Sequence, residues 1–269
     1  MDEQFYKYFF PEDEMYFHHV IPLHRVVDLK WDELCFKTPF LPRGWFELSR
    51  LSQEDRIEFT YEFWLSKLPC ISQRSNHLEA RLRTFFESLE DIEIFATQLK
   101  PGHPFDIHMV YALKEAAGFF HGNPPITDLA FDRLCRQFPY VTFPSDYLAF
   151  LHIHDGFCKY TDRGLIKSQD MARVYQQFQY LLSEEILIRP DGEEIDTSHL
   201  ISFYESFELH CYQCFYLDWC PEEEMGNIYF SLHDRRISNF LDPDHLENNF
   251  AFPTFLNWLI FYLEDIKHI

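Results

Sequence analysis

The sequence changes its pattern at the pentapeptide "HGNPP", residues 121–125. Glycine and paired prolines interrupt regular structure, because proline lacks the backbone N–H donor and glycine adopts many backbone conformations. Apolar residues before this point recur at helical spacing, whereas several later segments are aromatic and β-branched, as in strands. We therefore predict an α+β chain with a mainly helical region over 1–121, of unassigned role, and a second domain over 122–269.

Three helices are predicted in the first region. Ser52 is expected to cap one of them, with Asp55 three residues later. The other two are predicted over 76–98 and 105–120, where apolar residues share one helical face. The aromatic first 45 residues contain four prolines and are expected to supply one or two short strands.

The second region begins with two short helices. Thr127 is a candidate cap for the first, and "FPSDYLAFLHIHDGF", residues 143–157, encodes the second. Pro144 suits its first turn, Ser145 or Asp146 can accept hydrogen bonds from free N–H groups, and Gly156 is expected to end it. A helix is then predicted over 169–185. Four strands are predicted over 199–206, 209–219, 226–234 and 235–241, and a final helix over 254–266.

Several short motifs follow one another in this second region. They are Phe138 before "FPSDY", the continuation Leu148, Phe150 and Leu151, the stop Asp155-Gly156-Phe157, the strand ending in Leu217-Asp218, and the closing "FAFPTFLNWLIFYLEDI". In this order they resemble the SUKH superfamily, which contains a yeast cell-wall-assembly regulator and many bacterial immunity proteins. Asp155 stands where the family more often has asparagine, and Phe157 stands where it has a second glycine.

The resemblance implies a mostly antiparallel sheet flanked by helices, and a protein without enzymatic activity. Its toxin-neutralising members dock onto nucleases and other toxins, and its eukaryotic members act as regulatory or scaffold subunits. The expected function is therefore a non-catalytic protein-binding module, an immunity or regulatory protein. The alternative, from a different functional class, is a structural or regulatory scaffold protein without a toxin partner.

The net charge of −21 favours a basic partner. Residues 1–121 contribute −7 and residues 122–269 contribute −14. Such a charge repels phosphate backbones and anionic lipid and attracts basic proteins. We therefore expect no nucleic acid and no membrane among its partners, but a basic protein such as a nuclease toxin. Alternatively, the acidity only keeps an aromatic-rich chain soluble.

Two acidic segments are the candidate partner-binding sites, "RPDGEEID" at 189–196 and "CPEEEMG" at 220–226. Carboxylates there can pair with arginine or lysine of a partner. The alternative interpretation is a solvated face without a binding role. The candidate residues are Asp191, Glu193, Glu194, Glu222, Glu223 and Glu224.

The seven cysteines and the N-terminus favour a reducing, cytoplasmic environment. The first residues, "MDEQFYKYFF", lack the basic start and the cleavage site of a signal peptide. No apolar run reaches the ~18 residues that a membrane span needs. The thiols are expected to be free, and most of them buried.

No nucleotide-binding or hydrolase motif occurs, and we predict neither cofactor nor metal. "HCYQC" has a C-x2-C spacing, but Cys211 and Cys214 lie in a predicted strand, where positions three apart face opposite sides. "DPDHLENN" at 242–249 is interpreted as a capped turn rather than a calcium loop. A hydrolase that uses His152, His154 and Asp155 is the remaining alternative.

Overall fold

The computed structural model describes residues 8–9, 17–68, 76–160, 162–183, 185–206 and 210–264. The chain divides into two compact units. The first comprises Met1–Pro125, Phe157–Tyr160 and Leu263–Ile269, and the second comprises Ile126–Gly156 and Thr161–Tyr262. Residues 157–160 thus group with the first unit although they lie beyond the boundary predicted at 121. The division into a first region over 1–121 and a second domain over 122–269 stays a prediction.

The first unit combines helices with an antiparallel sheet. Its described helices are α1 (Trp31–Leu34), α2 (Arg43–Leu48), α3 (Gln53–Lys67) and α4 (Asn76–Glu87). Its strands pair in chain order and are β1 (His19–Pro22), β2 (Leu89–Gln98), β3 (Asp106–Leu113), β4 (Phe119–Gly122) and β5 (Phe157–Lys159).

The prediction of a mainly helical first region is therefore wrong for 89–122. The helix predicted over 76–98 ends at Glu87, and that predicted over 105–120 is largely strand. Residues 92–97 of β2 and 109–113 of β3 are all buried. A strand with both faces buried is apolar at nearly every position, so its residues also match the spacing of a buried helix.

The second unit is α+β, and the strand pairings described in it are antiparallel. Strands β6 to β9 pair in chain order, and β10 and β11 both pair with β9. The strands are β6 (Gly164–Leu165), β7 (Leu200–Glu205), β8 (Cys211–Tyr216), β9 (Asn227–Ser231), β10 (Arg236–Ile237) and β11 (Ala251–Phe252). The helices are α5 (Asp128–Gln137), α6 (Ser145–Leu151), α7 (Ser168–Leu182) and α8 (Phe255–Glu264).

Most elements predicted beyond residue 122 are confirmed, and so are two predicted helix caps. Ser52 Oγ accepts a hydrogen bond from the N–H of Asp55 at 3.2 Å, at the start of α3. Thr127 Oγ1 accepts one from the N–H of Ala130, also at 3.2 Å, at the start of α5. Each hydroxyl satisfies an N–H that the first helical turn leaves without an intrahelical partner.

Asp146, the predicted acceptor at the start of α6, also bonds to a second helix. Its Oδ1 accepts a hydrogen bond from the N–H of Tyr147 at 2.9 Å, and its Oδ2 accepts one from the N–H of Leu256 at 2.8 Å. Leu256 belongs to the first turn of α8. A single buried carboxylate therefore joins the N-terminal ends of α6 and α8.

The helix stop predicted at Gly156 is wrong in its position. Helix α6 ends at Leu151 and its C-cap is His152, which has ordinary right-handed backbone angles. Gly156 has φ 101° and forms the turn before β5. Glycine is nevertheless the residue type that this position requires, because this φ is strained for a residue with a side chain.

Among the described helices, none has the length and apolar character that a bilayer span requires.

Candidate functional site

Two acidic loops of the second unit carry the predicted partner-binding residues. The first acidic loop, residues 185–196, follows α7 and contains five carboxylates and one arginine. The second acidic loop, residues 217–226, joins β8 to β9 and contains four carboxylates and no basic residue.

His199 brings the two acidic loops together. Its Nδ1 lies 2.8 Å from Oδ2 of Asp218 in the second loop, and its Nε2 lies 3.7 Å from Oδ2 of Asp196 in the first. The N–H of Leu217 also donates to the carbonyl of His199 at 3.2 Å. His199 therefore holds the two acidic loops next to each other, although 19 residues separate it from Asp218, and the two loops together are called the acidic surface below.

Aromatic side chains pack against residues of both acidic loops. The ring of Phe240 lies 5.5 Å from that of Trp219 and 5.4 Å from that of Tyr216. The guanidinium of Arg189 lies over the same ring at 5.7 Å. Aromatic pairs and cation–π contacts at these distances each contribute about 1 kcal/mol, and here they connect residues of both loops.

The second acidic loop closes tightly on Trp219. The N–H of Gly226 donates to the Trp219 carbonyl at 2.8 Å. A Cβ added at Gly226 would lie 2.4 Å from Cε3 of the Trp219 ring, closer than van der Waals contact allows. Only glycine fits this position without displacing the indole.

The predicted binding carboxylates differ in their surroundings. Arg189 pairs with Asp191 at 2.7 Å and with Glu193 at 3.0 Å, which partly neutralises the first loop. Glu224 Oε2 accepts a hydrogen bond from the N–H of Ser145 at 3.1 Å, at the start of α6. Glu224 thus contacts the start of α6 within the second unit, and binding of a partner through it stays a prediction.

The other predicted carboxylates, Glu194, Glu222 and Glu223, are exposed. Apolar side chains are exposed beside them in the first acidic loop. Ile186 is 72% exposed and Ile188 is 49% exposed, and Ile188 forms a β-bridge with Glu194. Aliphatic side chains next to carboxylates are a combination that protein interfaces use, because the apolar area contributes affinity and the charges orient the partner.

The pKa values of the groups between the loops follow from these contacts. The hydrogen bond from Asp218 raises the pKa of His199 above its ordinary value. The hydrogen bonds that Ser198 donates lower the pKa of Asp196. The first shift favours the protonated imidazole of His199, and the second favours the ionised carboxylate of Asp196.

Replacing Asp218 by asparagine is expected to lower the pKa of His199, measured by NMR titration of its imidazole. The raised pKa means that protonated His199 stabilises the folded state fully below pH 6.5, its ordinary pKa, and that this contribution is lost as the pH rises through the folded value. Asp244→Asn, which removes an exposed carboxylate elsewhere, is the control. An unchanged His199 titration in Asp218→Asn would contradict the assigned contact.

The two cysteines of the C-x2-C spacing do not come together. Cys214 is fully buried in the core, and burial raises the pKa of its thiol, whereas Cys211 lies on the other face of β8 and accepts a hydrogen bond from Tyr229 at 2.9 Å. This confirms that the two cysteines face opposite sides. In the turn at 242–249, His245 Nδ1 lies 3.2 Å from Asp242 Oδ2.

The candidate hydrolase residues have separate surroundings. His152 is exposed and stacks on Phe131, and His154 is fully buried. Asp155 accepts hydrogen bonds from the N–H and the hydroxyl of Ser168, both at 2.6 Å, at the start of α7. Burial nevertheless raises its pKa. Asp155 therefore has a helix-capping role.

Within the described ranges, no three His, Cys, Asp or Glu side chains are grouped so that they could hold a metal ion. No family model, no curated protein and no solved structure matches this chain.

Sequence reasoning found the acidic loops but missed the residues that organise them, His199, Arg189 and Phe240. One signal was present, since Asp196 and His199 stand three residues apart at the start of a predicted strand. The partner of His199 in the second acidic loop, Asp218, stands out in the sequence only as part of the motif Leu217-Asp218. Its contact with His199 depends on strand pairing between β7 and β8.

Proposed function

We propose that the second unit is a non-catalytic module that binds a basic protein through its acidic surface. The observation that carries the proposal is the pairing of His199 with Asp196 and Asp218, which brings two acidic loops side by side. Exposed Ile186 and Ile188 in the same surface provide apolar area that a partner can cover.

The charges and the apolar residues have different roles in this proposal. Glu194, Glu222 and Glu223 are exposed, so their main effect is to accelerate association with a basic partner and to select against acidic ones. The two isoleucines slow dissociation, because removing aliphatic surface from water contributes about 25 cal/mol per Å².

The specific role that we propose is immunity to, or regulation of, a basic partner such as a nuclease toxin. This role rests on the resemblance to the SUKH superfamily in the motifs around Asp146, Asp155 and Asp218, and on the negative charge of residues 122–269. A nuclease must carry positive charge where it holds phosphate, and a carboxylate-rich surface can occupy that region. The cytoplasm is the compartment proposed for this binding.

Charge reversal on both loops tests the proposal. The double variant Glu194→Lys and Glu223→Lys is expected to weaken binding of the basic partner about tenfold at low ionic strength, because two attractions become repulsions. The loss should shrink at ~0.5 M salt, where charges farther apart than a few ångströms are screened. The partner is first captured from native cells with the wild-type chain, and binding is then measured by biolayer interferometry over a salt series.

The matched control is Glu58→Lys with Glu62→Lys on α3, which gives the same change in net charge on exposed positions of the first unit. We expect this control to bind nearly as the wild type does. The variant Ile186→Ser should speed dissociation at every salt concentration. Equal loss in both charge variants, or none in either, would contradict a binding site at the acidic loops.

A further inference from the structure

Strands β4 and β5 of the first unit place a cysteine directly opposite a histidine. His121 and Cys158 are register partners in this antiparallel pair, so their side chains leave the sheet on the same face. Cys158 Sγ lies 3.0 Å from His121 Nε2. The two residues are 37 positions apart in the chain, and the contact is made by the strand pairing.

The imidazole of His121 is held in place by its neighbours. The side chain is only 7% exposed, and its ring centre lies 5.6 Å from that of His108, 5.5 Å from that of Tyr8 and 6.0 Å from that of Phe119. Cys158 is a free cysteine that is partly exposed to solvent. An ordered base thus stands beside a partly exposed cysteine, which is the arrangement that activates cysteine nucleophiles.

We propose that Cys158 is a reactive thiol, activated by His121, that exchanges with low-molecular-weight disulfides. This modification site lies in the first unit and is independent of the acidic surface. It makes no use of the exposed carboxylates and needs no macromolecular partner.

The exchange needs no oxidant other than the disulfide itself. The thiol proton of Cys158 moves to His121 Nε2, and the thiolate attacks one sulfur of the disulfide. A new S–S bond forms as the old one breaks, and the departing thiolate takes the proton from the imidazolium. Cys158 is oxidised to a mixed disulfide, and one half of the reagent is reduced to a free thiol.

The chain supplies its own comparison thiols. Cys135 and Cys220 are both exposed, and the bond described for Cys220 is to the carbonyl of Leu217 at 3.7 Å. In the described part of the chain neither thiol is bonded to an imidazole. If accessibility alone governed reactivity, both would react faster than the half-buried Cys158.

Site-resolved mass spectrometry of the full chain tests the proposal, with iodoacetamide for rates and glutathione disulfide for exchange. At pH 6.5 we expect Cys158 to be alkylated about tenfold faster than Cys135 and Cys220, since an unassisted thiol has only ~1% thiolate there. Between pH 6 and 8 its rate should change less than about threefold, whereas the two comparison thiols should accelerate nearly tenfold per pH unit. Glutathione should attach first at Cys158.

Two variants distinguish the loss of the base from a general change in the packing around it. His121→Gln should give Cys158 the steep pH profile of an ordinary thiol, and His108→Gln, which changes a neighbouring ring, should leave the flat profile in place. Circular dichroism checks that each variant is folded. A wild-type Cys158 whose rate rises with pH as steeply as those of Cys135 and Cys220, or which stays unmodified while they react, overturns the proposal without reference to either variant.

Discussion

Replacing Asp146 by alanine is expected to lower the free energy of unfolding by roughly 2–4 kcal/mol. The carboxylate is 1% exposed and accepts hydrogen bonds from the backbone N–H groups of Tyr147 and Leu256. Alanine would leave both N–H groups without this acceptor, at the ends of α6 and α8. Buried donors that lose their partners cost more than the net contribution of the bonds themselves.

Urea unfolding of Asp146→Ala and Asp146→Asn measures this effect. Asparagine keeps the shape and one acceptor oxygen, so we expect it to recover about half of the loss. The control is Asp128→Ala, which removes an exposed carboxylate from the first turn of α5 and should cost less than about 1 kcal/mol. Similar losses at 146 and 128 would mean that the contact between the two helices contributes little.

Replacing Trp64 by alanine is expected to destabilise the first unit by about 3–5 kcal/mol. The indole is fully buried, and its ring centre lies 5.5 Å from that of Phe86, 5.8 Å from Tyr111 and 6.0 Å from Phe157. Its Nε1 donates a hydrogen bond to the hydroxyl of Tyr111 at 3.1 Å. Alanine would leave a large cavity between α3 and strands β3 and β5, which dense packing fills only in part.

Two further variants assign the loss at Trp64 to its causes. Tyr111→Phe removes the hydroxyl but keeps the ring, and should cost about 1 kcal/mol. Trp31→Ala removes an indole that is only half-buried, and should cost clearly less than Trp64→Ala. Thermal unfolding followed by near-UV circular dichroism reports all three. A loss at Trp64 no larger than that at Trp31 would contradict the cavity argument.

The three aspartates in the motifs that resemble the SUKH superfamily all accept hydrogen bonds that join separate segments. Asp146 connects α6 to α8, Asp155 binds Ser168 at the start of α7, and Asp218 binds His199. Their carboxylates are therefore engaged within the second unit. In the proposed function the partner is contacted by the exposed glutamates of the acidic loops, and these aspartates hold the surface in shape.

Local chemistry in the sequence was sufficient for a defined part of the structure. Ser52 and Thr127 start helices because a hydroxyl next to an apolar helical pattern satisfies free N–H groups, whatever the rest of the fold. The strands of the second unit were predictable because turn residues separate short aromatic runs. The acidic loops were predictable because charged, turn-rich segments stay at the surface.

Tertiary structure alone decided the remainder. Whether 105–120 is helix or strand depends on which elements cover its two faces, since β2 and β3 are buried on both sides and carry no alternation. The contacts of His199 with Asp218 and of His121 with Cys158 depend on strand register. Residues that are distant in the chain meet only when packing selects one register, and no local pattern contains that choice.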